Sequence, residues 1–113
     1  MIKNLDKINI LKREKLKRGL EFIEQNNSHG IINKIVVFGS AVREDCTEDS
    51  DIDMCIFSDF TTKNNEYLFL RGRFPMIIDD ICDIFRYADI TEKYQKIINE
   101  RGVVVYEARN DCS

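Results

Sequence analysis

The sequence predicts a small α+β domain in which a small mixed sheet is covered by helices. The chain is 113 residues long, which fits one domain. Short runs rich in Ile and Val alternate with longer stretches whose apolar residues recur at helical intervals, as in α/β proteins. Hydrophobic residues make up 43% of the chain, which is enough for one packed core around such a sheet.

The individual elements follow from the spacing of the apolar residues. Four strands are predicted from apolar runs, at 31–38, 51–57, 81–86 and 103–106. Helices are predicted at 3–26 and 63–79, and a third lies between the last two strands. Gly72 and Pro75 should weaken or bend the second helix.

The third helix has start and stop signals of its own. Asp89 and Glu92 resemble a capping box that opens it, and Gly102 is a suitable stop. Its apolar residues share one face: Ile90, Tyr94, Ile97 and Ile98. The predicted organisation is a single domain with an N-terminal helix packed on the core, a part that carries the site, and a polar tail, at 1–30, 31–107 and 108–113.

Charge and composition exclude several classes of protein. The net charge is −3 and the pI is about 5.2, so direct binding of polymeric nucleic acid is not expected. No apolar run approaches the length of a membrane span and no signal-peptide pattern is present, so we expect a cytoplasmic protein without membrane association. The cysteines lack CxxC pairing and a His partner, and we interpret them as free structural thiols: Cys46, Cys55, Cys82 and Cys112.

One short segment is basic. Lys12–Arg18 carries five cations in seven residues. It is either a contact for an anion or a partner, or a solvated helix face. Glu14 interrupts it, which favours the solvated face.

An Asp-x-Asp pair gives the strongest indication of chemistry. In the predicted strand 51–57, Ile52, Met54 and Ile56 point to one face, while Asp51 and Asp53 point to the other. Their carboxylates lie roughly 6.5–7 Å apart along the strand, and two like charges that close favour a cation between them. Oxygen ligands suit a hard ion such as Mg²⁺ or Mn²⁺.

Gly39 and Ser40 follow the first predicted strand directly. A glycine at the end of a strand lets backbone approach a ligand closely, and exposed N–H groups there can bind phosphate. Arg43 lies one turn further on and could orient Ser40, the loop or a phosphate. Taken alone, each of these residues also fits an ordinary surface turn.

Asp83 is the candidate for a third carboxylate. It stands inside the apolar run 81–86, where a charge is most easily explained if it shares a metal site with the other two. Asp79 and Asp80 are rivals, but they precede the apolar run and are typical of a turn. Strand alternation therefore favours Asp83.

Together these residues resemble the signature of the polymerase-beta-like nucleotidyltransferase superfamily, which places Gly-Ser after one strand, Asp-x-Asp on the next and another Asp on a third. The pattern reads VVFGSAVREDCTEDSDIDMCIF followed by ICDIF, with ten residues between Gly39-Ser40 and Asp51. The elements GSAVR and SDIDM, and the ending ITEKYQKIINERGVVVYE, are similar to the minimal nucleotidyltransferase (MNT) branch. The resemblance covers about residues 31–107.

The resemblance implies transfer of a nucleoside monophosphate, AMP from ATP, with two Mg²⁺ ions (or Mn²⁺) as cofactors. Asp51 and Asp53 would bridge both ions, and Asp83 would hold the ion that activates the acceptor hydroxyl. Gly39 and Ser40 would hold the β- and γ-phosphates, so that pyrophosphate leaves in line.

The resemblance also implies a partner. In the MNT family the neighbour is a helical HEPN-type toxin, and the MNT protein acts as its antitoxin by adenylylating it on tyrosine. The chain ends just after the core, so we expect the acceptor site to come from such a partner or from a homo-oligomer of the chain itself.

One position departs from the family pattern and keeps two alternatives open. Glu44 follows Arg43 where the family commonly has Gly, which adds a negative charge near the triphosphate. The first alternative is an antitoxin that acts by contact alone. The second is an enzyme acting on a small molecule such as an aminoglycoside, against which the expected lack of an acceptor domain argues.

Overall fold

The computed structural model describes residues 1–109, which form a four-stranded sheet with three helices. The elements, in chain order, are α1 Ile10–Asn26, β1 Lys34–Phe38, β2 Ile52–Phe57, α2 Asn65–Ile78, β3 Cys82–Arg86, α3 Glu92–Arg101 and β4 Val103–Glu107. The strand order is β3-β2-β1-β4. β2 and β3 are parallel and the other pairs antiparallel, so the sheet is mixed, as predicted. No helix within 1–109 is long and apolar enough to cross a membrane.

One face of the sheet is covered by α1 and α2. Ile52, Met54 and Ile56 of β2 point into this layer, and each is at most 1% exposed. Tyr67 and Phe74 of α2 are equally buried in the same core. The alternation along β2 therefore follows the sequence prediction, and it turns the odd-numbered residues of β2 to the other face.

The other face is covered only in part. Ile98 of α3 packs there against Val36 and Cys55. β3, at the edge of the sheet, extends beyond this cover, and its Phe85 is 41% exposed. We call this partly uncovered side of β2 and β3 the open face.

The predicted start of the first helix, at residue 3, is wrong. α1 begins at Ile10, where the Asn9 side chain accepts a hydrogen bond from the Leu11 N–H. The preceding residues pair with the end of the chain instead: Lys3 N–H donates to the Val105 carbonyl at 2.9 Å. Asn4 has φ 59°, which a helix does not allow. Pairing with β4 thus prevails over the helical spacing of residues 3–9.

The predicted start of the third helix is also wrong. Thr91, not Asp89, is the N-cap, and its side chain accepts from the Tyr94 N–H. Asp89 lies in a preceding 3₁₀ turn and pairs with Arg86 at 2.8 Å. Gly102 ends the helix as predicted.

The second helix runs through both Gly72 and Pro75. α2 continues to Ile78, and the Asp79 N–H then donates to the Pro75 carbonyl at 3.0 Å. The first strand is shorter than predicted and begins at Lys34.

Lys12 is not on a solvated face, contrary to the interpretation of the basic segment. Its side chain is 1% exposed and its Nζ lies 2.8 Å from Asp80 Oδ2. The same ammonium donates to the Glu48 carbonyl at 2.9 Å. The ion pair joins α1 to the segment just before β3 and engages the Asp80 carboxylate there.

Three cysteines are free thiols in the described part of the chain: Cys46, Cys55 and Cys82. Burial raises the pKa of Cys55 and Cys82 to about 12, so both are inert thiols at neutral pH. Cys112 and most of the predicted polar tail lie outside the described residues.

Candidate active site

Two of the three predicted carboxylates are neighbours on the open face. Parallel pairing of β2 with β3 sets Asp53 directly opposite Asp83. Burial raises the pKa of Asp53, and the charge of Asp83 and a hydrogen bond shared with it raise it further. A carboxyl in this position favours a cation beside it, because a cation removes the repulsion between the two groups.

Asp51 stands just before β2 and belongs to the same electrostatic environment. It is half-buried, and its charge also raises the pKa of Asp53. The backbone carbonyl of Asp51 accepts a hydrogen bond from Ser40 Oγ at 3.4 Å. The Gly39-Ser40 turn is thereby tied to the base of the Asp-x-Asp strand.

Gly39 packs closely against the Asp53 carboxylate because it has no side chain. Its φ is +74°, a conformation that L side chains rarely adopt. An added Cβ would stand 2.5 Å from Asp53 Oδ2. Glycine is therefore required here both by the turn and by the Asp53 carboxylate.

Substituting Gly39 by alanine is expected to displace Asp53 more than it destabilises the fold. The methyl group meets the movable end of a side chain, so the structural cost is mainly the strained φ, about 1 kcal/mol. Transfer of a nucleotide, the activity that the sequence resemblance implies, should fall at least tenfold while the chain stays folded. Thermal unfolding and transfer rates of Gly39→Ala and wild type measure this. A Gly72→Ala variant, whose Cβ meets nothing within 4 Å, is the control and should transfer normally.

Arg43 follows the turn and reaches the same site. Its charge lowers the pKa of Asp53 and partly offsets the burial and the two neighbouring carboxylates. Its Nε lies 3.0 Å from Asp45 Oδ1, in a largely exposed ion pair. Glu44 between them is exposed and keeps a negative φ, since positive φ among the non-glycine residues of 1–109 occurs only at Asn4 and Asp79. The turn thus accepts Glu44 without backbone strain.

A cleft of about 370 Å³ opens beside Asp53, between the Gly39 turn and α3. Three of the predicted site residues line it: Gly39, Arg43 and Asp53. Ser40, Asp51 and Asp83 do not line it. Its remaining walls come from residues that sequence reasoning did not assign to a site: Phe38, Val42, Tyr94, Ile97 and Arg101.

The sequence predicts that the apolar residues of α3 in this wall belong to a core-packing helix face. Tyr94 and Ile97 share the predicted apolar face, which suggested core packing, yet they are 58% and 37% exposed. Ile98 alone of that face is buried. Arg101 lies one turn after Ile97 and lines the cleft beside it.

The donor set fits a magnesium ion that is shared with a substrate. Within 1–109, no three His, Cys, Asp or Glu side chains are close enough to hold an ion by themselves. Mg²⁺ is usually bound by one or two carboxylates together with substrate phosphates and waters. Asp53 and Asp83 would supply the carboxylates, and Asp53 packs against the Gly39 turn. That Asp51 joins this pair as a third metal ligand stays a prediction.

A mixed sheet with facing aspartates beside a Gly-Ser turn is the architecture of polymerase-beta-like nucleotidyltransferases. The chain belongs to the polymerase beta nucleotidyltransferase family, whose model matches residues 14–111. No curated protein sequence matches the chain significantly.

Solved structures share this fold at low sequence identity. A toxin–antitoxin complex with AMP-PNP matches with a TM-score of 0.64 and 17% identity over 84% of this chain and 75% of that chain. An MNT antitoxin complex with tri-AMPylated HEPN toxin from Shewanella oneidensis matches with 0.60 and 16%, over 88% and 76%. A protein assigned as a minimal nucleotidyltransferase matches with 0.60 and 16%, over 80% and 89%. At these identities the similarity shows the fold alone.

Proposed function

We propose that this nucleotidyltransferase moves AMP from ATP onto a hydroxyl group of a partner protein, a tyrosine of a HEPN-type toxin, and so acts as an antitoxin. The observation that carries the proposal is the pairing of Asp53 with Asp83 next to the Gly39 turn. The Asp53 carboxylate lies in the wall of the cleft and packs against Gly39, and Asp83 lies beside it on the neighbouring strand.

The residues of the site divide into a donor side and an acceptor side. Gly39, Ser40 and Arg43 would bind the β- and γ-phosphates of ATP, next to Asp53. Asp51, Asp53 and Asp83 would hold Mg²⁺, which when bound supplies charge stabilisation for the phosphates. Asp83 is exposed on the edge strand, so an acceptor hydroxyl can reach it from solvent.

The transfer itself replaces one phosphoester oxygen by another. The acceptor oxygen attacks the α-phosphorus of ATP and forms a new P–O bond. The bond between the α-phosphorus and the α,β-bridging oxygen breaks, pyrophosphate leaves with the electron pair, and the hydroxyl proton is lost to solvent. The residues of the chain contribute positioning and charge stabilisation, which are the main needs of phosphoryl chemistry.

A protein acceptor is supported by the shape of the site and by the similar structures. The open face presents exposed apolar side chains next to Asp83, including Phe85 at 41% and Ile81 at 64%. Such side chains suit burial against a second protein surface. Similar folds occur in antitoxins in complex with HEPN toxins, one of them AMPylated.

An antitoxin that acts by contact alone is the second candidate. Glu44 and Asp45 follow Arg43 directly in the chain, and Asp45 pairs with its guanidinium. That pairing weakens the attraction of Arg43 for a triphosphate. This alternative predicts binding of the partner without turnover.

Label transfer distinguishes the two candidates. The full chain is incubated with ATP labelled at the α-phosphate, Mg²⁺ and the product of the adjacent reading frame. The proposal predicts label on the partner from α-labelled ATP, and none from γ-labelled ATP. Inhibition of the partner's activity without any label would favour the contact-only antitoxin.

A further inference from the structure

We infer that α3 forms the second wall of the nucleotide site, with Arg101 binding the triphosphate and Tyr94 packing on the base or ribose. This inference rests on the proposed function, and it concerns residues outside the Gly-Ser and aspartate motifs. It follows from the identity of the α3 side chains that line the cleft, and from whether the charged ones are engaged in ion pairs.

Arg101 brings to the cleft a charge that has no ion-pair partner among residues 1–109. It lines the same cleft as Gly39, Arg43 and Asp53. Within residues 1–109 its guanidinium makes no ion pair, whereas Arg43 is paired with Asp45. An unpaired guanidinium opposite a glycine turn is suited to phosphate oxygens, which it can bind with two parallel N–H groups.

The position of Arg101 is fixed by the residue that follows it. Gly102 ends α3, and a Cβ at Gly102 would collide with Val36 of β1 and the Ile98 carbonyl. The absence of a side chain thus lets the end of α3 lie directly on the sheet. The backbone that follows Arg101 therefore lies against β1, the strand that leads into Gly39.

The rest of the α3 wall is apolar and exposed. Tyr94 is 58% exposed and Ile97 is 37% exposed, although both face the cleft. Together with Phe38 and Val42 they form an apolar surface beside the two arginines. A ligand with an aromatic part and a polyanionic part matches both surfaces at once, and ATP is such a ligand. A purely anionic ligand would leave the apolar part exposed.

Two ligands and four variants test this arrangement. Binding of ATP and of inorganic tripolyphosphate, each with Mg²⁺, is measured by calorimetry for wild type, Arg101→Gln, Arg101→Lys, Tyr94→Ala and the control Lys96→Gln. Lys96 is an exposed cation of the same helix that does not line the cleft. Unfolding midpoints within about 2 °C of wild type establish that the variants are folded.

Arg101→Gln is expected to weaken both ligands by about tenfold, as loss of a charge-assisted hydrogen bond should. Tyr94→Ala should weaken ATP but leave tripolyphosphate unchanged. Lys96→Gln should change neither, and Arg101→Lys should recover part of the affinity. An equal loss of affinity in Arg101→Gln and Lys96→Gln, or no loss in Arg101→Gln, would overturn the inference. In that case ATP binding by the wild type would still uphold the proposed function. Failure of wild type to bind ATP would overturn both.

Discussion

Asp53→Asn is expected to lower AMP transfer by about a thousandfold, because the substitution removes the charge that faces the metal and the phosphates. Asp53 is the carboxylate common to every part of the site: it faces Asp83, touches the Gly39 turn and lines the cleft. The amide keeps the size of the side chain, and it relieves the repulsion from Asp83 and Asp51. The fold should therefore be as stable as wild type, or more so, while activity is lost.

The measurement is the rate of label transfer from α-labelled ATP, together with the free energy of unfolding. Asp59→Asn is the matched control, because Asp59 is an exposed carboxylate shortly after the same strand. Transfer by Asp53→Asn at the rate of Asp59→Asn would show that the carboxylate is not part of the chemistry. A large loss of stability in Asp53→Asn would instead assign Asp53 a structural role.

Lys12→Ala is expected to destabilise the fold by about 3 kcal/mol, because it leaves the Asp80 carboxylate without its buried partner. Lys12 is 1% exposed and contacts both Asp80 and the Glu48 carbonyl. Lys15 also approaches Asp80, at 3.6 Å, but is 39% exposed. Lys15→Ala is therefore the control and should cost less than about 1 kcal/mol. The free energy of unfolding of both variants is measured by denaturant unfolding. Equal losses of stability would contradict the assignment of Lys12 as the main partner of Asp80.

The ion pair between Lys12 and Asp80 also predicts how the destabilisation by Lys12→Ala depends on pH. Burial opposes ionisation of Asp80, but hydrogen bonds from Lys12 and the Ile81 N–H, and the charges of Lys12 and Lys15, lower its pKa. A lowered pKa stabilises the fold at pH above the unfolded value, and this contribution is lost as pH falls through the folded value. The difference in stability between wild type and Lys12→Ala should therefore be full at about pH 7 and shrink below about pH 4. A difference that is independent of pH would exclude the ion pair as its source.

The parts of the fold that depend on local pattern could be predicted from sequence. Alternation along β2 fixes which face carries Asp53, and the apolar run around Asp83 identifies a neighbouring strand. The glycine that follows β1 indicates a close contact with another group, although the sequence alone does not identify that group. Family membership, read from the same motif, is confirmed.

The parts that depend on distant partners could not be predicted. The burial of Lys12 follows from Asp80, which lies 68 residues away in sequence. Residues 1–3 are extended rather than helical because they pair with β4 at the other end of the described chain. The exposure of Tyr94 depends on how much of the sheet α3 covers, which spacing along one helix does not determine. A helical stripe alone does not distinguish a core face from a ligand wall.

The central claim is that the aspartates of the open face hold a divalent ion together with the triphosphate. The most direct test is a crystal structure of the full chain with Mn²⁺ and a non-hydrolysable ATP analogue, using anomalous scattering to locate the metal. We expect the Mn²⁺ signal between Asp51, Asp53 and Asp83, with the phosphates against Gly39 and Ser40. A bound analogue whose metal lies elsewhere, with these carboxylates free of metal, would contradict the account.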